Sequence, residues 1–415
     1  MWSSRWWWSL AFGAAVVVIL VNVLSGGDRF QWVPGTPYAG PGRSVAPPVT
    51  TTPPPPPTAF LYVSPAGSDD NDGSANAPLR TIQAGLDRAT PGMQITLAPG
   101  VYQEQLQTTR DGTADAPIWI KGPETGTDRA GRYQAVVYGT SRVISVDNSY
   151  YVFDGFTVDG QQELADVAFP TDLSGIDAFK QSVQPQVQDG RLIYVGAGDE
   201  SRDLTGITIR NMFLSGAGGE CVRLRNNAHD NVVVDSVIQY CGMYGKGDDD
   251  ERATFHNGEG VYIGTSPNSD DQPMHDNDTS SRNLVVRNTI RTFGSECFNV
   301  KENAHDNVFE GNQCSANTEP AEFDGSNVEL RGHQNVVRNN TIADSAGYSV
   351  KIASDDDYDA GGNVVENNQL TNSVVALKLE TESTQGAICG NTVATLSLIE
   401  NDDEDNAPGD ITAPC

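Results

Sequence analysis

From residue 204 onward, short apolar runs alternate with turns rich in Asn, Asp and Gly. The runs begin ITIRN, VVVDS, LVVRN, VFEGN, VVRNN, VVENN and AICGN, and their anchor residues are Asn211, Ser236, Asn288, Asn312, Asn340, Asn368 and Asn391. The anchors lie 23 to 28 residues apart except for one step of 52. Such steps fit the coils of a solenoid, and the leucine-rich pattern with one helix per unit is missing. The pattern predicts an all-β, right-handed single-stranded parallel β-helix.

A second strand in each unit predicts which side chains form columns along this solenoid. Period-2 alternation places ten apolar residues inward: Val222, Leu224, Val261, Ile263, Phe298, Val300, Val328, Leu330, Val350 and Ile352. The interleaved residues are expected to face solvent. One column contains Arg225, Gly264, Lys301, Arg331, Ala353 and Glu380, and the adjacent one contains Arg223, Tyr262, Asn299, Glu329, Lys351 and Lys378. Glu220, Glu259 and Glu296 precede three of these strands and form a column of their own.

The N-terminal part of the chain divides differently. Residues 1–25 contain one early arginine and an apolar run from Trp6 to Leu24, which predicts a transmembrane anchor or a signal segment. Residues 26–59 form a Pro-rich linker that holds the domain away from the membrane, and residues 60–415 form the β-helix domain. Only one helix is expected, opened by Pro78 and capping the first coil.

These features predict where the protein resides. No small-residue cleavage site follows the apolar run, which favours an uncleaved single-pass anchor in the cell membrane with the β-helix domain extracellular; cleavage would give a secreted protein. Cys221, Cys241, Cys297, Cys314, Cys389 and Cys415 all follow the linker and are disulfide candidates. Fifteen connectivities are open. Our hypothesis is that sequence neighbours pair, so that Cys389 and Cys415 fix the C-terminus.

Net charge limits the partners. A formal charge of -29 excludes binding to nucleic acid or anionic lipid through a basic surface, so the membrane is contacted through the N-terminal segment only. The cationic columns are a local exception that suits an acidic polysaccharide. The predicted substrate-binding residues are Arg225, Tyr262, Asn299, His333 and Lys351. We expect a monomer.

The glutamate column suggests a metal site. Carboxylates on neighbouring rungs repel one another, and a bound cation removes that repulsion. Oxygen ligands suit Ca²⁺, with Glu259, Glu296 and Asn257 as predicted ligands. Equally, these glutamates can simply be solvated. His229 and His305 lie in the copied turn NAHDNV and are interpreted as structural, which leaves His333 as the histidine near the proposed centre.

The columns support β-elimination on a uronate-containing polysaccharide. This reaction needs a cation on the carboxylate, a base near C5 and a donor for the leaving oxygen. Lys301 is the predicted base, provided that Arg331 lowers its pKa, while Glu296 and Glu302 oppose that shift. Arg331 or Tyr262 is the predicted group that stabilises or protonates the leaving group.

Two stretches resemble known proteins. Residues 60–107, with YVSP before the helix, resemble the N-terminal cap of pectate-lyase-like right-handed β-helix proteins. The strands NGEGVYIGTS, ECFNVK and VELRGH resemble, in order, signature strands of the chondroitinase B and alginate lyase family. The resemblance implies that Lys301 is similar to the family's base, Arg331 to its catalytic arginine, and Glu296 and Asn257 to calcium ligands.

The sequence therefore predicts an extracytoplasmic polysaccharide lyase, or a uronan epimerase, which shares the proton abstraction. The alternative is a non-catalytic surface protein that uses the β-helix as a stalk or glycan-binding platform.

Overall fold

The protein is described by a computed structural model. It describes residues 49–123, 132–164, 167–198, 202–244, 258–269, 272, 274–355, 358–402 and 407–415. Within these ranges no helix is long and apolar enough to cross a membrane. The predicted anchor, residues 1–25, and the predicted ligand Asn257 lie outside the described residues.

Three parallel sheets run the length of the described chain, as predicted for a parallel β-helix. The first contains β1 Ala59–Val63, β2 Met93–Leu97, β5 Ile118–Lys121, β8 Tyr151–Asp154, β11 Thr208–Arg210, β14 Val232–Val234, β17 Leu284–Val286, β20 Val308–Glu310, β23 Val336–Arg338, β26 Val364–Glu366 and β29 Ile388–Cys389. The second contains β4 Leu106–Gln107, β7 Ser141–Val146, β10 Gly190–Val195, β13 Val222–Leu224, β16 Val261–Ile263, β19 Phe298–Val300, β22 Ser326–Leu330, β25 Tyr348–Ala353, β28 Val375–Glu380 and β31 Ser397–Asn401. The third contains β3 Gly100–Gln103, β6 Ala135–Tyr138, β9 Thr157–Asp159, β12 Phe213–Ser215, β15 Val237–Gln239, β18 Thr289–Arg291, β21 Gln313–Asn317, β24 Thr341–Ser345, β27 Gln369–Thr371 and β30 Thr392–Ala394.

The core lies between the three sheets. All ten residues predicted to point inward, from Val222 to Ile352, have no exposed surface, and they belong to one continuous apolar cluster. Strand alternation was sufficient to identify them, because the equivalent positions of the strands above and below also point into the core.

The predicted capping helix is present as α1, Ile82–Arg88. It begins after Thr81, whose hydroxyl accepts a hydrogen bond from Ala84 N at 3.1 Å, rather than at Pro78. Glu104 accepts two further hydrogen bonds, from the N–H groups of Ile82 (2.9 Å) and Gln83 (3.0 Å). These acceptors satisfy helix N–H groups that have no intrahelical partner.

The expectation of a single helix is wrong. A second helix, α2 at Leu173–Val183, lies in a long insertion between β9 and β10, followed by a 3-10 turn at Gln184–Gln186. Shorter 3-10 turns occupy Gln162–Leu164 and Ala321–Phe323. The apolar face of α2 packs into a second cluster that includes Ile176, Val183 and Phe293. Helical spacing of Leu173, Ile176 and Val183 was the available sequence signal.

A ladder of five side-chain amides and one hydroxyl joins the coils at the turn between the first and third sheets. Its members are Ser236, Asn288, Asn312, Asn340, Asn368 and Asn391, each at most 2% exposed. Asn312 shows the pattern: its Oδ1 accepts from Asn288 Nδ2 at 3.1 Å, and its Nδ2 donates to Asn340 Oδ1 at 3.1 Å. Each amide also bonds to backbone groups, so buried turn N–H and C=O groups are paired.

The anchor residues of the sequence repeat therefore occupy equivalent positions on successive coils, as predicted, with one exception. Asn211 lies one position too early, since Met212 N donates to Ser236 Oγ at 3.1 Å. Asn211 instead adopts φ of 50°, like Asp235, Arg287 and Asn339, which precede ladder residues on other coils. Asparagine tolerates this left-handed conformation better than most residues do.

A second ladder, which was not predicted either, joins the coils at the turn that leads into the first sheet. Its members are Asn231, Asn283, Asn307, Asn335 and Asn363. Each stands directly before a first-sheet strand that begins with two apolar residues, as in NVVV and NVFE. This placement was the signal that could have revealed it.

Three disulfides confirm the pairing of sequence neighbours. They join Cys221 to Cys241, Cys297 to Cys314, and Cys389 to Cys415. The first two cross-link consecutive coils where the chain passes from the third sheet to the second, and the last holds the C-terminus against β29.

The end of the predicted Pro-rich linker lies against the solenoid. Val49 N donates to Glu310 Oε1 on β20 at 3.1 Å, and Trp119 Nε1 on β5 donates to Pro55 O at 3.2 Å. Residues 51–54 line a cleft of about 240 Å³ together with β11 and β14. Only the part before residue 49, which is not described, remains as a predicted spacer.

We expect Asn312→Ala to lower the free energy of unfolding by about 2–4 kcal/mol, because it leaves buried amide and backbone groups without partners. Equilibrium urea denaturation measures the change. Asn76→Ala, at an exposed turn position, is the matched control and should stay within about 0.5 kcal/mol of the parent. Equal losses in both variants would contradict a stabilising ladder.

Candidate functional site

The second sheet carries the predicted columns in the predicted register. Tyr262 pairs with Arg223 on one side and with Asn299 on the other, and Asn299 pairs with Glu329. Glu329 then pairs with Lys351, and Lys351 with Lys378. The cationic and carboxylate side chains therefore stack on consecutive rungs, as expected.

The expectation that this column faces solvent is wrong. Exposed fractions are only 2% for Asn299, 3% for Lys351 and 5% for Tyr262. Arg225 is 1% exposed because its Nη1 donates to Tyr194 OH at 2.6 Å and to Gln272 Oε1 at 2.7 Å. Substrate binding by these residues stays a prediction, and it would require a ligand to replace partners that they already have.

Glu329 is the centre of a group of largely buried side chains, which we call the Glu329 cluster: Glu329, Asn299, Lys301, Arg331 and Lys351. Its carboxylate lies 3.9 Å from Lys301 Nζ, 3.6 Å from Arg331 Nη1 and 3.7 Å from Lys351 Nζ. It also accepts a hydrogen bond from Asn299 Nδ2 at 2.9 Å. Burial alone raises the pKa of this carboxyl, but the three cations outweigh burial and hold the pKa below its usual range. Glu329 is thus an ionised hub on which three cations converge.

Lys301, the predicted base, is one of two partly exposed cations in the cluster, with 14% of its side chain accessible. Its Nζ lies 5.0 Å from the centre of the Tyr262 ring. Burial alone lowers the pKa of Lys301, but Tyr262, Glu329 and Glu259 outweigh it, so the pKa is raised despite Arg331. The expected lowering of this pKa by Arg331 is therefore not found: lysine is held in its protonated form.

Arg331, the predicted catalytic arginine, is the other partly exposed cation, at 18% of its side chain. Its guanidinium contacts three carboxylates at once, those of Glu302, Glu329 and Asp355. The side chain of Glu302 is fully buried, and one of its carboxylate oxygens has no hydrogen-bond partner. The guanidinium is thereby fixed in one orientation beside Lys301.

The three stacked glutamates differ in their counter-charges. Glu220 lies 2.5 Å from Arg191 and 3.1 Å from Arg223; burial opposes ionisation, but these arginines hold its pKa at about 2. Burial, together with the charges of Glu220 and Glu296, raises the pKa of Glu259 to about 8. Burial and the charge of Glu329 raise the pKa of Glu296 to about 7.

The predicted ligands Glu259 and Glu296 are therefore short of positive charge. A buried acceptor, Asn299 Oδ1, is close by and has no hydrogen-bond partner, while Asn299 Nδ2 donates to Glu296 at 3.1 Å. Glu220 is neutralised by arginines and does not join a three-carboxylate group. Among the described residues, the one cluster with metal-ligand spacing is Glu366 with Cys389 and Cys415, whose sulfurs form a disulfide.

His333 lies in a turn column rather than on the strand face. Parallel bridges join the column in the order His229, Ser281, His305 and His333. The His305 and His333 rings stack with centroids 5.0 Å apart. The structural interpretation of the turn histidines extends naturally to His333, and its role in substrate binding stays a prediction.

Several residues in and around the Glu329 cluster received no functional role from the sequence. Glu329 was placed in its column without a role, because the sequence does not show that three cations converge on it. Tyr194 on β10 continues the column by one rung, and RLIYV was the alternating strand that signalled it. Arg191, near the start of β10, contacts Glu220, and Asp355, in a loop, contacts Arg331. Aligning the strands into columns reveals neither contact.

Comparisons with known proteins agree with this architecture. Residues 65–125 match a family described as a protein of unknown function (DUF1565). The chain is similar to pectate lyase PEL9 of Emericella nidulans, at 46% identity over 68 residues, covering 16% of this chain and 17% of the relative. It is also 37% identical over 65 residues to the uncharacterized protein YwoF of Bacillus subtilis, covering 16% and 14%. The matches span less than a fifth of these relatives.

Solved structures match over a longer stretch. An alginate lyase from Paenibacillus sp. str. FPU-7 superposes with a TM-score of 0.59 at 17% identity, covering 82% of this chain and 98% of that one. Pectate lyase Pel9A gives 0.55 at 15% identity, covering 87% and 82%. The chain has the parallel β-helix fold of the pectate-lyase-like proteins.

We expect the free energy of unfolding without calcium to fall as pH rises from about 4.5 through the folded-state pKa of Glu296, about 7, because the folded protein binds a proton that the unfolded chain releases. In EDTA, Glu296→Gln should therefore be stabilising relative to the parent at pH 8 and less so at pH 5. Urea denaturation at both pH values tests this.

Glu322→Gln, at an exposed position, removes the same charge and is the control for general repulsion. Two results would contradict the argument from burial and charge. One is that Glu296→Gln changes the free energy of unfolding equally at pH 5 and pH 8. The other is that Glu322→Gln changes it as much as Glu296→Gln does.

Proposed function

We propose that this protein is a polysaccharide lyase that acts by β-elimination on an acidic, uronate-containing polysaccharide. The main support is the pair Lys301 and Arg331, the partly exposed cations of a buried cluster, on consecutive rungs of a fold shared with alginate and pectate lyases. The chain's charge of -29 otherwise repels such a substrate, so productive binding depends on this cationic patch. The three disulfides support a location outside the cytoplasm.

In this mechanism Lys301 removes the proton at C5, and Arg331 neutralises charge on the substrate carboxylate or on the leaving oxygen. Lys301 must first lose its own proton, which the charges of Glu329 and Glu259 oppose. Burial of the ammonium favours this loss, and substrate that covers the 14% exposed side chain increases the burial. Tyr262 is a second donor for the leaving oxygen, since burial raises the pKa of its hydroxyl and keeps it protonated.

The described residues offer three oxygen donors toward a calcium ion. Glu259 and Glu296 have too little positive charge near them to offset burial and repulsion from neighbouring carboxylates, and Asn299 Oδ1 is a buried acceptor without a hydrogen-bond partner. Carboxylate and amide oxygens are ligand types that suit Ca²⁺. A bound calcium ion would supply positive charge to the substrate carboxylate and offset the glutamates that raise the pKa of Lys301. Asn257 remains a further predicted ligand.

A non-catalytic glycan-binding or stalk protein is the second hypothesis. The pairing of nearly every cation with a carboxylate favours it, as does the raised pKa of Lys301, because both describe a cluster stable without substrate. Uronan epimerase activity stays a prediction from the sequence. It shares the proton abstraction but leaves no unsaturated product.

We expect the purified protein, with calcium, to release unsaturated uronate ends absorbing in the ultraviolet from alginate, pectate or a glycosaminoglycan. Lys301→Ala should reduce this rate at least ~100-fold, the usual contribution of a general base. Lys121→Ala on the first sheet is the control and should keep full activity. Binding without product in the parent protein would favour the non-catalytic hypothesis.

We also expect calcium to raise the melting temperature, as a ligand of the folded state does. Binding at pH 7 should release protons, because Glu259 and Glu296 are partly protonated without the ion. Calorimetry in buffers of different ionisation enthalpy measures the release. The Glu259→Gln/Glu296→Gln double variant should lose both effects and Glu322→Gln should keep them. An unchanged response of the double variant would place any calcium elsewhere.

A further inference from the structure

A groove of about 440 Å³ lies at the N-terminal end of the solenoid, apart from the Glu329 cluster. Six glutamines line it, and we call it the glutamine groove: Gln103, Gln105, Gln161, Gln162, Gln186 and Gln188. They come from the ends of β3 and β9, and from the 3-10 turns and loop of the insertion that carries α2. Its volume lies within the range of small-ligand sites, roughly 300–1,000 Å³.

The inner wall of the glutamine groove is fixed by hydrogen bonds. Gln161 is 2% exposed, its Nε2 donates to Gln188 O at 2.7 Å, and its Oε1 accepts from Gln188 N at 2.8 Å. Gln103 Nε2 on β3 donates to Gln162 Oε1 at 2.9 Å, which joins the first coil to the insertion. The groove is therefore preformed, which reduces the entropy cost of binding.

The lining chemistry favours a neutral ligand rich in hydroxyl groups. A glutamine side chain carries two donors and an acceptor oxygen with two lone pairs, so the hydrogen-bonding capacity not used within the wall can match hydroxyls, which also donate and accept. The charged lining residues are Glu104 and Glu163, both acidic. Glu104 already accepts two hydrogen bonds from the start of α1, and the negative charges oppose a uronate. Tyr138 and Thr140 add an aromatic ring and a hydroxyl to the lining.

We propose that the glutamine groove binds a neutral saccharide. It lies where the chain passes from the third sheet to the second, as Glu220, Glu259 and Glu296 do on later coils. A glycan lying along this edge of the solenoid would place neutral residues in the groove and acidic residues toward Lys301. The groove does not depend on the proposed lyase activity, because a non-catalytic glycan-binding protein would use it equally.

The test uses the full-length protein and neutral hexasaccharides of cellulose, mannan, xylan and galactan, with oligogalacturonate as the anionic comparison. Isothermal titration and saturation-transfer NMR measure binding up to roughly 10 mM. We expect at least one neutral probe to bind, and Gln103→Ala/Gln186→Ala to weaken it at least about tenfold. Both residues are exposed, so the folded state should persist, as circular dichroism can confirm.

Gln181→Ala is the matched control, since Gln181 is exposed on α2 but does not line the groove. It should leave binding unchanged. The proposal is overturned if no neutral probe binds, if the double variant binds as tightly as Gln181→Ala, or if oligogalacturonate is the ligand that the double variant loses. Loss of lyase activity in Lys301→Ala tests the proposed function separately and leaves this result unaffected.

Discussion

The side-chain amide ladders are the constraint on which the rest of this structure depends. In the coils from β14 to β29, an asparagine at the same position of nearly every coil donates to the next coil and accepts from the previous one, as between Asn312 and Asn340. The bonds form only when successive coils are in register, whatever the length of the loops between them. The step of 52 residues from Ser236 to Asn288 is thereby absorbed in loops, while the turn itself keeps its geometry.

Fixed register has an electrostatic consequence. Residues at equivalent positions become neighbours one strand spacing apart, so like charges meet unless the sequence alternates them. The glutamate column shows two outcomes: Glu220 is neutralised by arginines, whereas Glu259 and Glu296 have raised pKa values. Glu329 in the next column avoids the problem, because Lys351 follows it in that column and Lys301 and Arg331 reach it from the adjacent one. A candidate active site thus arises where the ladder forces ionisable groups together in a buried setting.

The same burial ties stability to function in this cluster. Partners that hold Arg331 in place also occupy the donors that a substrate carboxylate would use. Lys301 is held protonated by the carboxylates that orient it, so a base role needs those charges to be offset. A cation bound at Glu259 and Glu296 would offset their charge, and exclusion of water by substrate would bury the ammonium further. Both changes would lower the pKa of Lys301.

The sequence by itself determined the coil repeat, the inward residues and the strand register of the columns, because each follows from local periodicity that recurs along the chain. The pairing of the cysteines was a hypothesis that only the structure confirmed. Only the tertiary structure decided what surrounds those columns. Burial of Arg225 and the helix α2 depend on loops and insertions that do not repeat. The convergence of three cations on Glu329 depends on how side chains from two adjacent columns pack against each other. The pKa of Lys301 is opposite to expectation for the same reason: its own column predicted Arg331 beside it, but Tyr262 and Glu329 of the adjacent column, with Glu259, outweigh that charge.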